Sequence, residues 1–133
     1  MSETYEVGCD CGAVRMTLTG EPRVRGVCHC EDCRELLDVP YHQVTAWEPH
    51  QFEVTAGEDA LVAFQHPTKR MQRVFCRHCG ETLYNTNAMD WRVVSALLVG
   101  KRLGGLPAAL APKSHFFYAR RVVDVDDDLP RRD

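Results

Sequence analysis

No apolar run in this chain approaches the roughly 20 residues that a membrane-spanning helix requires. The start, Met-Ser-Glu-Thr-Tyr-Glu, carries neither the basic nor the apolar stretch of a secretory leader. Basic charge is short as well: 16 Lys and Arg stand against 19 Asp and Glu, a formal charge of −3. Phosphate binding needs a basic face, which argues against nucleic acid as the main partner. Repeats, low-complexity tracts and linkers are missing before the last ten residues, and helical signals are thin. What is there is an ordinary globular composition, 44% hydrophobic and 26% charged, over 133 residues. That length suits one domain able to bury roughly 70% of its unfolded surface. The expectation is a cytoplasmic protein with no membrane and no nucleic-acid partner.

Period-two alternation predicts a mostly β chain of short strands. It is clear in Val14–Leu18, Phe52–Val54 and Met71–Phe75, each bounded by Gly, Pro or polar residues. Trp91–Val99 is almost continuously apolar and reads as a strand buried on both faces, although a helix is compatible with the same run. His115–Tyr118 and Arg121–Val125 read as late strands. One helical turn is expected at Glu31–Leu37, and a weaker one near Ala108–Ala111. Asp124, Asp126, Asp127 and Asp128 superficially resemble a calcium loop but lack its Gly and its distal Glu. They read as a solvated acidic tail over residues 125–133, behind a domain over residues 1–124.

Seven cysteines carry the functional signal, all in three clusters: Cys9-x-Cys11, Cys28-x-Cys30-x-x-Cys33 and Cys76-x-x-Cys79. The number is odd and no leader is expected, so reduced thiols and metal or redox chemistry are expected rather than a disulfide scaffold. Cys-x-Cys in extended chain puts both sulfurs on one side. Cys-x-x-Cys followed by Gly80 is a metal-knuckle turn. Together Cys9, Cys11, Cys76 and Cys79 would supply a closed four-thiolate structural zinc site. Cys28, Cys30 and Cys33 would then remain as three ligands with one open position, the arrangement of a catalytic zinc. Grouping the trio with Cys76 and Cys79 instead would crowd five sulfurs and leave Cys9 and Cys11 spare. Cycling of Cys30 and Cys33 as a dithiol is the redox alternative, but no βαβ pattern accompanies it.

The histidines are weaker signals. His29 lies between two ligands and by alternation points away from them, to a supporting or exposed position. His42, His66, His78 and His115 have no ligand spacing; His42 and His115 are the candidates for a proton donor near the open site. Lys69, Arg70, Arg73 and Arg77 read as a solvated basic face, or else as a grip on carboxylates of a small molecule.

Gly8-Cys9-x-Cys11-Gly12-x-Val14, Cys28-His29-Cys30-x-x-Cys33-Arg34 and Phe75-Cys76-x-x-Cys79-Gly80 with Leu83 resemble the glutathione-dependent formaldehyde-activating enzyme family. So do Pro112-x-x-His115-Phe116 and the tail Asp124-x-Asp126-Asp127-Asp128-Leu129-Pro130. The resemblance covers nearly the whole chain. It implies a zinc-binding β-tent of several short twisted sheets, with the same partition of the cysteines into a structural and a catalytic zinc. By implication the protein is a carbon–sulfur lyase whose partners are a small-molecule thiol and an aldehyde, glutathione with formaldehyde or a related pair. Glu35–Asp38 and Ser95–Leu98 depart from the family pattern and are expected to line the substrate cavity. The competing reading is a non-catalytic zinc-stabilised β module that binds a protein partner.

Overall fold

The computed structural model describes residues 3–133. Its ten strands are β1 (Thr4–Gly8), β2 (Arg15–Thr19), β3 (Val24–Cys28), β4 (His42–Trp47), β5 (Phe52–Ala56), β6 (Leu61–Gln65), β7 (Gln72–Cys76), β8 (Thr82–Thr86), β9 (Arg92–Ser95) and β10 (His115–Phe116). Two helices, α1 (Glu31–Leu37) and α2 (Ala96–Leu103), interrupt them. Strands β1, β2 and β5 form a three-stranded antiparallel sheet. The other seven form a second sheet in the order β10-β3-β4-β9-β8-β7-β6, antiparallel except for the β10–β3 pair. The mostly β architecture read from the alternation is therefore the observed one. Among the described residues, no helix is long and apolar enough to cross a membrane.

Alternation in the large sheet gives it two working faces. Thr45, Trp47 and Val94 point into the main core, where they meet Val7, Met16, Leu18 and Leu83 from other strands and Leu98 and Val99 from α2. The buried indole N–H of Trp47 donates to Thr45 Oγ1, which donates in turn to the Val94 carbonyl, both at 2.9 Å. These bonds satisfy the polar atoms that the core encloses. Val44, Ala46 and Val93 lie on the opposite face, in a separate apolar cluster with Val24, Cys28 and Trp91. That second face is where the site is built.

Three expected strands come out differently; the shortest change is at His115–Tyr118, where the strand stops at Phe116, Phe117 turns at φ 54° and Tyr118 begins a 3-10 turn. The run Trp91–Val99 splits: β9 is buried on both faces through Val93 and Val94, but at Ser95 the chain turns into α2. Ser95 Oγ accepts the Leu97 N–H as N-cap, Lys101 and Arg102 sit in the last turn, and Gly104 closes the helix at φ 73°. These capping signals outweigh the apolar run. Arg121–Val125 is not a strand. Val122 and Val123 are exposed, and Arg121 Nε bonds Asp124 Oδ1 at 2.6 Å, curling the segment. Elsewhere α1 extends for seven residues, and the weak helical signal near Ala108 is a 3-10 turn, Ala108–Leu110.

Gly26 on β3 makes the late strand possible. A Cβ there would lie 2.1 Å from the Phe116 ring and 2.8 Å from the Ser114 carbonyl, so only glycine lets β10 sit against β3.

Candidate metal centre

The cysteines converge as two separate groups. Cys9 and Cys11 lie in the loop leaving β1, and Cys76 and Cys79 lie at the β7–β8 turn. All four sulfurs fall within 4.8 Å of one another, with 3.6 Å from Cys9 to Cys11 and 3.7 Å from Cys11 to Cys76. Four sulfurs held tetrahedrally about 2.3 Å from one ion would be ~3.8 Å apart, so the donor set fits a metal ion without rearrangement. Gly80 has φ 77° with open space around its missing side chain, so it is the backbone conformation of the knuckle that calls for glycine. Backbone amides of Cys79 and His78 aim at the Cys76 sulfur and bring its thiol down to about 7. Lys101 reinforces the junction by pairing with Asp10 at 2.7 Å and with Glu81.

The second group is local. Cys28 ends β3, and Cys30 is the N-cap of α1, its sulfur accepting the Cys33 N–H at 3.3 Å. Cys33 sits one turn into that helix. The three sulfurs again lie within 4.8 Å, with 3.3 Å from Cys28 to Cys30 and 3.6 Å from Cys33 to Cys28. Hydrogen bonds from Cys28 and Cys33 hold the Cys30 thiol down to about 2, while the bond to Cys30 lifts Cys28 to about 11. Leu36 and Met71 pack against Cys33 and fix the base of the cluster.

Outside this trio lies a cavity of about 880 Å3. Cys28, Cys30 and Cys33 line it together with Val44, Ala46 and Val93 of the large sheet, Asn85 and Asn87, and Trp91 and Met89. Lys69, Arg70 and Arg120 also line it. Lys69 is already paired with Asp32 at 2.8 Å and Glu35 at 3.2 Å. Among the described residues, Arg70 and Arg120 have no carboxylate within 4 Å. Arg73 departs from the basic-face reading by lying over the Phe64 and Phe75 rings, and Arg77 is exposed away from the cavity lining. Glu35–Asp38 and Ser95–Leu98 are not part of that lining. Leu36 is packed beneath the trio, and Ala96 and Leu98 are buried in α2.

The sequence reading missed what stands behind the trio. His29 does point away from the sulfurs, but it is fully buried rather than exposed. Its Nε2 lies 2.9 Å from His115 Nδ1, and His115 Nε2 is 3.0 Å from Asp127 Oδ2. The Tyr41 and Tyr118 rings flank His29. His115 is equally buried and faces this chain of bonds, not the cavity. His42 pairs with Cys28 across β3 and β4, is buried with Nδ1 unpartnered, and has its pKa pulled down to about 4 by that burial. The tail is thereby tied in: His115 N donates to Pro130 O at 2.8 Å, and Arg132 N donates to His115 O at 2.9 Å.

His115→Leu keeps the volume but removes both ring nitrogens. It should cost about 1–3 kcal/mol in a urea or thermal melt, because His29 loses its one partner inside the protein. Asp127→Asn retains an acceptor and should cost less. Equal melting of His115→Leu and the parent protein would mean that the bond chain contributes nothing to stability.

A mostly β domain with two all-thiol clusters, one closed between distant segments and one on a cavity wall, is a protein whose cysteines could hold metal ions in two distinct environments. The chain belongs to the glutathione-dependent formaldehyde-activating enzyme family, whose profile matches residues 4–120. It is 29% identical over 80 residues to an uncharacterized lyase of Schizosaccharomyces pombe (strain 972), a match covering 60% of this chain and 56% of that relative's length. Its fold resembles a crystal structure of a Rhodobacter sphaeroides protein at a TM-score of 0.54 and 21% identity, over 77% of this chain and 97% of the other.

Proposed function

We propose that this protein is a zinc-dependent enzyme of the carbon–sulfur lyase type, acting on the adduct of a small-molecule thiol and an aldehyde, glutathione with formaldehyde or a related pair. In this reading Cys9, Cys11, Cys76 and Cys79 hold a structural zinc, and Cys28, Cys30 and Cys33 hold a second, catalytic one. The observation that carries the reading is the position of the trio: three convergent thiols form the wall of a ligand-sized cavity. Bound there, zinc would supply a Lewis acid that favours the thiolate form of an added thiol near neutral pH.

The chain's own residues do the rest. Arg70 and Arg120 offer unpaired guanidinium groups to the carboxylates of the thiol. The apolar floor gives the bound pair a surface that holds the reacting atoms together. In the forward direction the sulfur–carbon bond forms, the carbonyl π pair moves to oxygen, and the thiol proton ends on that oxygen. Cleavage runs the same exchange backwards. His42 stands beside Cys28 in the strand register, whereas His115 is turned to His29 and Asp127; neither lines the cavity.

Cobalt substitution supplies the test. Adding glutathione to the fully cobalt-loaded protein should change the sulfur-to-metal absorption of one of two sites, and a panel of thiols and aldehydes should yield turnover. A flat titration with both glutathione and smaller thiols would favour the non-catalytic module that binds a protein partner.

A further inference from the structure

The thiol partner and the carbon partner share the cavity beside the trio, and the sheet face that lines it is largely hydrocarbon. Val24, Val44, Ala46 and Val93 share one face of the large sheet with Cys28, and Trp91 packs against them. All of them line the cavity with Cys28. Met89, which also lines the cavity, is 65% exposed, a large apolar side chain left in water. The free cations, Arg70 and Arg120, line the same cavity, so one ligand can meet both charge and hydrocarbon.

We propose that the carbon partner at this site carries an apolar chain or ring of several carbons, laid on Val44, Ala46 and Val93 and against Trp91. The carboxylates of the thiol partner face Arg70 and Arg120. This rests on the lyase reading and narrows its substrate class: adducts of an anionic thiol with an apolar aldehyde. The chemistry is unchanged and balanced, since the thiol S–H adds across the C=O to give a hemithioacetal, or that adduct splits into the two. An apolar chain gains where a one-carbon group cannot, because it displaces water from valine and alanine side chains that offer it no hydrogen bond; Asn85, paired with Val93 across β8 and β9, is the polar group beside them. Each buried methylene should tighten binding by up to about fourfold.

Stable thioethers test this without any reaction. S-methyl, S-butyl and S-hexyl glutathione, and the matching S-alkyl mercaptoacetates, are titrated into the full-length metal-loaded protein. Binding is followed by calorimetry and by tryptophan fluorescence, in which Trp91 is the responsive residue because Trp47 is fully buried in the core. The dissociation constant should fall about two- to fourfold per methylene. Val93→Thr, the same shape with a hydroxyl, and Trp91→Ala, at a partly exposed position, should each flatten that slope. Affinity independent of chain length overturns the proposal, and so does a slope that both variants leave intact. Activity separates this from the underlying reading. Turnover of the formaldehyde adduct with rejection of a hexanal adduct sinks the apolar subsite and keeps the lyase; a chain-length slope with no turnover of any adduct keeps the subsite and sinks the lyase.

Discussion

Cys9→Ser or Cys76→Ser should give insoluble or unfolded protein that has lost one metal ion per chain. The four sulfurs join the loop after β1 to the β7–β8 turn, segments 65 or more residues apart in sequence, and so link the two sheets. Cys9 and Cys76 are themselves part of the main core. Closing a loop of that length is a large entropic demand on a chain of short strands. Structural zinc in small zinc-finger peptides is worth about 10–16 kcal/mol at pH 7, as much as the whole net stability of a typical domain, about 5–15 kcal/mol. The other ties across the junction do not substitute. Lys101 with Asp10 and Glu81 is a partly exposed cluster, and exposed pairs contribute about 0–1 kcal/mol. Chelation of the parent protein should have the same outcome as mutation. A Cys9→Ser protein that melts like the parent after losing its metal would remove the structural assignment.

How much of this was legible beforehand follows from what sets each feature. Cysteine grouping is a matter of spacing, and residues 28, 30 and 33 or 76 and 79 cannot be far apart in any fold. The meeting of Cys9 and Cys11 with Cys76 and Cys79 needed the whole topology, and only the chemistry of four thiolates suggested it. Strands with one buried face, such as β2 with Met16 and Leu18 inward, announce themselves by alternation. Around Ser95 the apolar pattern is the same in strand and helix, so the boundary is set by a hydroxyl cap and a distant Gly104, which periodicity does not weigh. Val122 and Val123 failed as a strand because a β pattern without a partner edge has nothing to bond to. The buried bond chain from His29 through His115 to Asp127 was beyond reach for a different reason. It joins residues 86 and 12 apart, and each one taken alone looks like an ordinary polar side chain.

Cys30→Ser should behave in the opposite way to Cys76→Ser: folded, short of one metal ion per chain, and without thiol–aldehyde activity. The three sulfurs come from one six-residue stretch, so losing the ion they would hold opens no long loop. The stretch is also secured by other means. Serine at position 30 can still cap α1, since a hydroxyl is a better N-cap acceptor than a thiol. His29 stays fixed to His115, and Leu36 and Met71 keep Cys33 packed. Activity is another matter. Cys30 lies within reach of both other sulfurs, so serine there removes one of the three thiolate donors that would hold the ion and leaves two. Metal analysis, a melt and a thiol–aldehyde assay on the same preparation separate the possibilities. Loss of fold would make the trio structural and leave the cavity beside it without a catalytic role. Full activity in a protein that had lost the second ion would place the chemistry on some other group.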